Sequence, residues 1–129
     1  MMVPIILLGA AAATIPSRTP LAVIPVAPVK PVSRVETTRV DFAPGQIMPR
    51  HKHNVPVICF VTKGNFLSNI GDAGEKPADV GDVTYEPPGV VVRYFQNASQ
   101  TEAAQLLCAS LAGENDTQLN VMLGDDQGK

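Results

Sequence analysis

The feature that most constrains this chain is its punctuation. Between Val32 and Gly113, short apolar and β-branched runs are cut again and again by residues that favour turns. Ala43-Pro44-Gly45, Lys63-Gly64-Asn65, Gly71-Asp72-Ala73-Gly74, Gly81-Asp82 and Pro87-Pro88-Gly89 are the breaks. The runs between them, Val32–Phe42, Val55–Thr62, Phe66–Ile70, Val83–Glu86, Val90–Phe95 and Ala103–Leu111, suit strands and leave little room for helices. Glu102–Leu107 alone would pass for a helix. Turn signals roughly every 8–12 residues, with no helical stretches between, predict an all-β antiparallel sandwich or barrel.

Composition narrows the function classes. At 129 residues with 45% hydrophobic residues, the chain suits one domain with a real core and is not globally disordered. Ten basic against twelve acidic residues leave no basic footprint, which argues against nucleic acid as the main partner.

The ends read differently from the middle. Residues 1–13 form an apolar run too short to span a bilayer, so no membrane span is expected. It resembles a secretory signal peptide without its positive start, since no Lys or Arg precedes Arg18; a buried N-terminal strand is the other reading. Export, with a periplasmic location, is favoured over the cytoplasm. Residues 14–31 carry Pro16, Pro20, Pro25, Pro28 and Pro31, which forbid helix and central-strand pairing. This stretch is either a linker or an arm, Leu21-Ala22-Val23-Ile24, that adds an edge strand to its own or a partner's sheet. The expected organisation is leader and arm over 1–31, barrel over 32–113 and a polar, fraying tail over 114–129.

Cys59 and Cys108 lie in apolar strand-like runs. Two buried free thiols are the commoner outcome, and a disulfide requires that their strands meet. The two histidines, His51 and His53, lie two apart. On a strand they share a face with Cα atoms about 6.5 to 7 Å apart, close enough to converge on one ion. In a polar turn they would instead face solvent.

The surroundings of the pair decide how it is read. Gly45, five residues, His51-Lys52-His53 and a later Gly64 are followed by Gly81, five residues, Pro87-Pro88-Gly89 and Asn97. This spaced set resembles the two motifs of the cupin family over most of Asp41–Leu111. The resemblance implies a double-stranded β-helix, or jelly-roll barrel, with a metal in its mouth; small cupins also commonly form homodimers. Two of the family's four ligand positions depart from the pattern: the metal-binding Glu falls at Val57 and the third His at Val92. His51 and His53 remain, and two histidines alone make a weak site.

Glu86, just before the Pro-Pro-Gly corner, is the best candidate third ligand; Gln46 and Gln105 are weaker ones. Cys59 shares the parity of Val57 and would be a thiolate if buried beside an ion, or else an inert core thiol. By parity Val57, Val61, Val90, Val92 and Tyr94 line an unusually apolar interior. Arg93 faces outward unless the register slips, in which case it suits an anionic ligand. Tyr85 and Tyr94 are candidate hydroxyls at the mouth, and with Arg93, Val57 and Val92 they form the expected small-molecule surface.

Two functions with a ligand follow, beside a structural, dimer-forming exported protein with none. One is a metal-dependent protein, dioxygenase-like or isomerase-like, holding divalent iron, manganese, nickel or zinc. The other is a non-catalytic binding or sensory module without metal, which the valines at the ligand positions favour. The substrate is not legible, because one scaffold carries many chemistries.

Overall fold

The computed structural model of the chain describes residues 2–5, 9 and 15–124. Ten strands carry it: β1 (Arg34–Phe42), β2 (Ile47–Met48), β3 (His51–His53), β4 (Val57–Lys63), β5 (Asn65–Ile70), β6 (Glu75–Asp79), β7 (Val83–Glu86), β8 (Val91–Asn97), β9 (Ala104–Ala112) and β10 (Asn120–Met122). They form two antiparallel sheets, one ordered β1-β9-β4-β7 and the other β10-β3-β8-β5-β6, with β2 also on β8. Most connections step from one sheet to the other, which is the jelly-roll winding that the turn spacing predicts. Among the described residues no helix is long and apolar enough to cross a membrane.

The turn residues sit where the chain must change sheets. Gly64 links β4 to β5 with φ +75°, and a Cβ there would meet the Ala104 Cβ at 2.8 Å, so only glycine fits both the backbone and the approach. Between the sheets, the inward residues fill a core in which Phe42, Phe66 and Phe95 meet. Their rings pack edge to face or tilted, with centroids 5.0 Å (Phe42–Phe66), 5.3 Å (Phe66–Phe95) and 6.4 Å (Phe42–Phe95) apart. Asn97 is also fully buried, and its Nδ2 donates to the carbonyls of Ala43 and Glu102. One polar side chain thus ties the β1–β2 turn to the β8–β9 loop.

Several expectations need correction. The stretch Leu21–Ile24 adds no strand to this chain's sheets; residues 15–33 are irregular and mostly exposed. The leader reading of residues 1–13 falls largely outside the described residues. The tail does not fray through its whole length, because β10 pairs with β3 at Asn120↔His53, Val121↔Lys52 and Met122↔His51. The strand β6 escaped notice because Pro77 interrupts its pattern; it is tolerated because β6 is a sheet edge.

Cys59 and Cys108 are direct partners across β4 and β9 and are joined in a disulfide, so the expectation of free thiols is overturned. Their strands are neighbours in the four-stranded sheet, a fact that residue spacing does not carry.

Candidate metal centre

The residues that gather at one end of the sandwich come from both sheets. β3 is only three residues long, and its alternation is strict: His51 and His53 are buried while Lys52 is half-exposed. This is the period-two pleat that places side chains at i and i+2 on one face. The two imidazole centroids lie 4.9 Å apart with their planes near perpendicular. Glu86, the last residue of β7, arrives from the opposite sheet and is 4% exposed. One ligand atom from each of His51, His53 and Glu86 lies within 4.8 Å of the other two.

The register explains why Glu86 reaches this place. Val57, where the cupin pattern expects a carboxylate, is the direct cross-strand partner of Glu86 on β7. Directly opposite residues on one face have Cβ atoms about 4.5–5.5 Å apart. A carboxylate from the neighbouring strand therefore enters nearly the same space. Val92, at the expected third histidine, is the direct partner of His51 on β8 and is fully buried. Among the described residues no His, Cys, Asp or Glu joins the cluster from that side.

The ring nitrogens are sorted by their partners. His51 Nδ1 lies 2.7 Å from the Pro49 carbonyl oxygen, which can only accept, so Nδ1 carries the proton and donates. His53 Nδ1 lies 2.6 Å from Asn120 Oδ1 and donates likewise. With both Nδ1 atoms engaged, it is Nε2 of each ring that faces the interior, as in metal-ligating histidines. His53 Nε2 is buried, lies 2.5 Å from Glu86 Oε2, and lacks a properly directed hydrogen bond. A buried polar atom without a directed partner asks for an explanation, and an ion that both groups ligate after moving apart is one. Bonds of about 2.0–2.2 Å around a single ion keep its ligand atoms within about 4.4 Å of one another, so the cluster needs only small side-chain adjustment. Two imidazoles and one carboxylate thus fit a divalent transition metal.

Electrostatics supports the pairing. Burial pushes the His53 pKa down, but the Glu86 carboxylate and the Asn120 amide oxygen outweigh it and hold the value above 6.5. A cation at Nε2, proton or metal, is what this position favours.

The cluster borders a small cavity of about 110 Å³ whose other walls are mainly apolar, among them Val57, Phe95 and Leu106, with the disulfide alongside. Thr38 and Ser110 add hydroxyls. Of the expected small-molecule surface, only Val57 lines this cavity. Tyr85 and Val90 line a larger groove of about 700 Å³ beside the open edges of β6 and β7, outside the cluster. Arg93 and Tyr94 are turned away by a bulge. Asn69 pairs with Tyr94 and Ile70 with Val92, leaving Arg93 as an extra residue that reverses the alternation. Arg93 then bonds the Gly71 carbonyl and Asp72, while the Tyr94 hydroxyl bonds Glu75. Gln46 and Gln105 also lie elsewhere, bonding the Ala43 amide and Asp41. Asn120 is the residue that sequence reading missed; nothing in a polar tail 67 residues from His53 signals the contact.

The fold and the cluster can be set beside known proteins. An oxalate oxidase solved with the substrate analogue glycolate is 25% identical with a TM-score of 0.60, the match covering 69% of this chain and 46% of that one. A cupin-like protein from Thermotoga maritima is 24% identical with a TM-score of 0.60, over 70% of this chain and 65% of that one. A DMSP lyase from Ruegeria pomeroyi is 18% identical with a TM-score of 0.58, over 69% and 43%. The latter two likenesses speak to fold, and this chain spans less than half of the oxalate oxidase. No curated protein matches the chain as a relative. A model of the cupin domain matches residues 38–110, more than half of the sequence. With its jelly-roll winding and this match, the chain belongs to the cupin domain family.

Proposed function

We propose that this cupin holds one divalent transition metal through His51 Nε2, His53 Nε2 and a Glu86 carboxylate oxygen. The observation that carries the reading is the engagement of both Nδ1 atoms, which turns both Nε2 lone pairs toward the same buried carboxylate. Two histidines and one carboxylate with open positions form the facial arrangement typical of non-haem iron(II), while manganese, nickel and zinc accept the same donors. Such an ion supplies Lewis acidity and open positions for a small oxygenated ligand, in dioxygenase-like or isomerase-like chemistry.

The chain's own residues set the rest. Val57, Phe95 and Leu106 give the cavity apolar walls, and its volume of about 110 Å³ admits only a small molecule. For scale, one water occupies about 30 Å³ of liquid. The disulfide supports an exported, oxidising compartment.

Metal analysis of the purified protein tests this reading. Near-stoichiometric metal is expected in wild type, and His51→Ala should lower the affinity at least 100-fold. Metal content unchanged by that substitution would contradict the assignment. A second reading, a metal-free binding module, draws on the valines that stand at two of the family's ligand positions; protein that takes up no metal from a solution of iron(II), manganese, nickel or zinc would favour it.

A further inference from the structure

The two histidines are oriented by very different means. His51 is held by a carbonyl two residues before it, at Pro49 in the short link between β2 and β3. His53 is held by Asn120, which belongs to the last strand of the fold. Resting on the metal reading above, we propose that Asn120 is a positioning residue for that centre, and that metal binding and docking of the C-terminal strand form one coupled equilibrium.

The attachment of β10 is polar and short. The strand has three residues and, in sheet order, touches only β3, the strand that carries both histidines. Asn120 and Met122 are exposed and only Val121 is half-buried, so little apolar area anchors it. Its remaining ties are hydrogen bonds. The Asn54 amide donates to the Leu119 carbonyl at 2.9 Å, Asn54 Nδ2 to the Gln118 carbonyl at 2.8 Å, and the Leu123 amide to the Arg50 carbonyl at 3.0 Å. Farther back, Asp116 is paired with Lys30, its carboxylate accepts from the Gly113 amide, and its carbonyl accepts from Arg34. Elements with few buried apolar contacts and exposed hydrogen bonds open locally at low cost.

Opening would reach the site through one atom. Without the acceptor at Asn120 Oδ1, nothing fixes the proton of His53 on Nδ1, and the Nε2 lone pair is no longer specified. A docked strand therefore presents a better ligand than an open one. Linkage makes the effect reciprocal: whatever factor docking adds to metal affinity, the metal adds to docking.

Zinc titration of the full-length protein, with hydrogen exchange of residues 118–122 measured with and without saturating zinc, tests both halves. Asn120→Ala should weaken zinc binding about 10- to 100-fold, the range for loss of a partner behind a ligating histidine. Asn120→Asp keeps an acceptor oxygen at the same place and should restore the affinity to wild type or better. Cobalt(II) bound to the alanine variant should show altered visible bands, which a merely structural defect would not cause. In wild type, zinc should slow exchange in β10, and in Asn120→Ala that protection should fall. Asp116→Asn touches no ligand but loosens the tail; it should speed exchange in β10 and weaken zinc binding less than tenfold.

Wild-type zinc affinity in Asn120→Ala, or β10 exchange indifferent to zinc, would overturn the proposal. Weakened zinc binding in His51→Ala together with wild-type affinity in Asn120→Ala would overturn this inference while leaving the metal reading standing. A wild-type protein that takes up no zinc would sink the metal reading and this inference together.

Discussion

The interior of this sandwich has two ends, built on the same strands and the same pleat, with opposite contents. Toward one end Phe42, Phe66 and Phe95 close the space with Ala78, Ala104 and Leu106, and the buried Asn97 is tied off by its own hydrogen bonds. Toward the other, His51, His53 and Glu86 face a small cavity whose far wall is the edge of that same cluster, Phe42, Phe95 and Leu106. β8 serves both: Phe95 packs in the aromatic cluster, and three residues earlier Val92 backs His51. The aromatic end supplies the stability that lets the other end carry three buried polar groups, each of which costs free energy to desolvate.

The division can be attacked from either side. The largest effect is expected from Phe66→Ala, which removes a 1% exposed ring from the centre of the aromatic cluster. It should cost about 3–5 kcal/mol in urea denaturation while leaving metal stoichiometry intact in the folded fraction. A loss of metal affinity in the protein that stays folded would show that the two ends are not separable.

The disulfide comes next. It joins β4 to β9 over a sequence separation of 49 residues, and closing such a loop in the unfolded chain is worth about 4 kcal/mol in the chain-entropy model. Cys59→Ser with Cys108→Ser should lower the urea midpoint accordingly. Equal midpoints for this variant and the wild type would show that the cross-link contributes nothing.

The carboxylate offers a sharper test. Because Val57 and Glu86 are direct partners, Glu86→Ala should weaken zinc binding more than tenfold and Val57→Glu added to it should recover most of the loss. Failure of the double variant to recover would mean that the two positions do not address the same point.

The smallest effect concerns the tail. Hydrogen bonding from Lys30, then from the Gly113 amide, lowers the Asp116 pKa below 3.8. A lowered folded value means that the contribution is present above the unfolded value and lost as pH falls through the folded one. Asp116→Asn should therefore be slightly less stable than wild type at pH 7, with the difference vanishing as the pH falls through the lowered folded pKa. A gap that persists in acid would assign the effect to something other than this charge.

How much of this was legible in the sequence depends on the distance each feature spans. Strand runs and turns are local, so the all-β architecture could be read from Pro-Gly corners and β-branched runs. The His-x-His pair is local too, since i and i+2 share a face on any strand. Glu86 can be singled out as a candidate from its place before Pro87-Pro88-Gly89, although its register against Val57 is a tertiary fact. Arg93 shows the limit. One extra residue in β8 moves Tyr94 from the expected interior to the outside, and no composition signal marks a bulge. Asn120 and the Cys59–Cys108 pair depend on which strands become neighbours, and that is settled by the winding of the whole chain.

The central claim is that three side chains from two sheets converge on one ion. Crystals of metal-loaded protein, measured on both sides of the metal's absorption edge, test it most directly. The account predicts a single anomalous peak within bonding distance of His51 Nε2, His53 Nε2 and a Glu86 carboxylate oxygen. A peak bound elsewhere, or imidazoles ordered at that place with no metal density beside them, would contradict it.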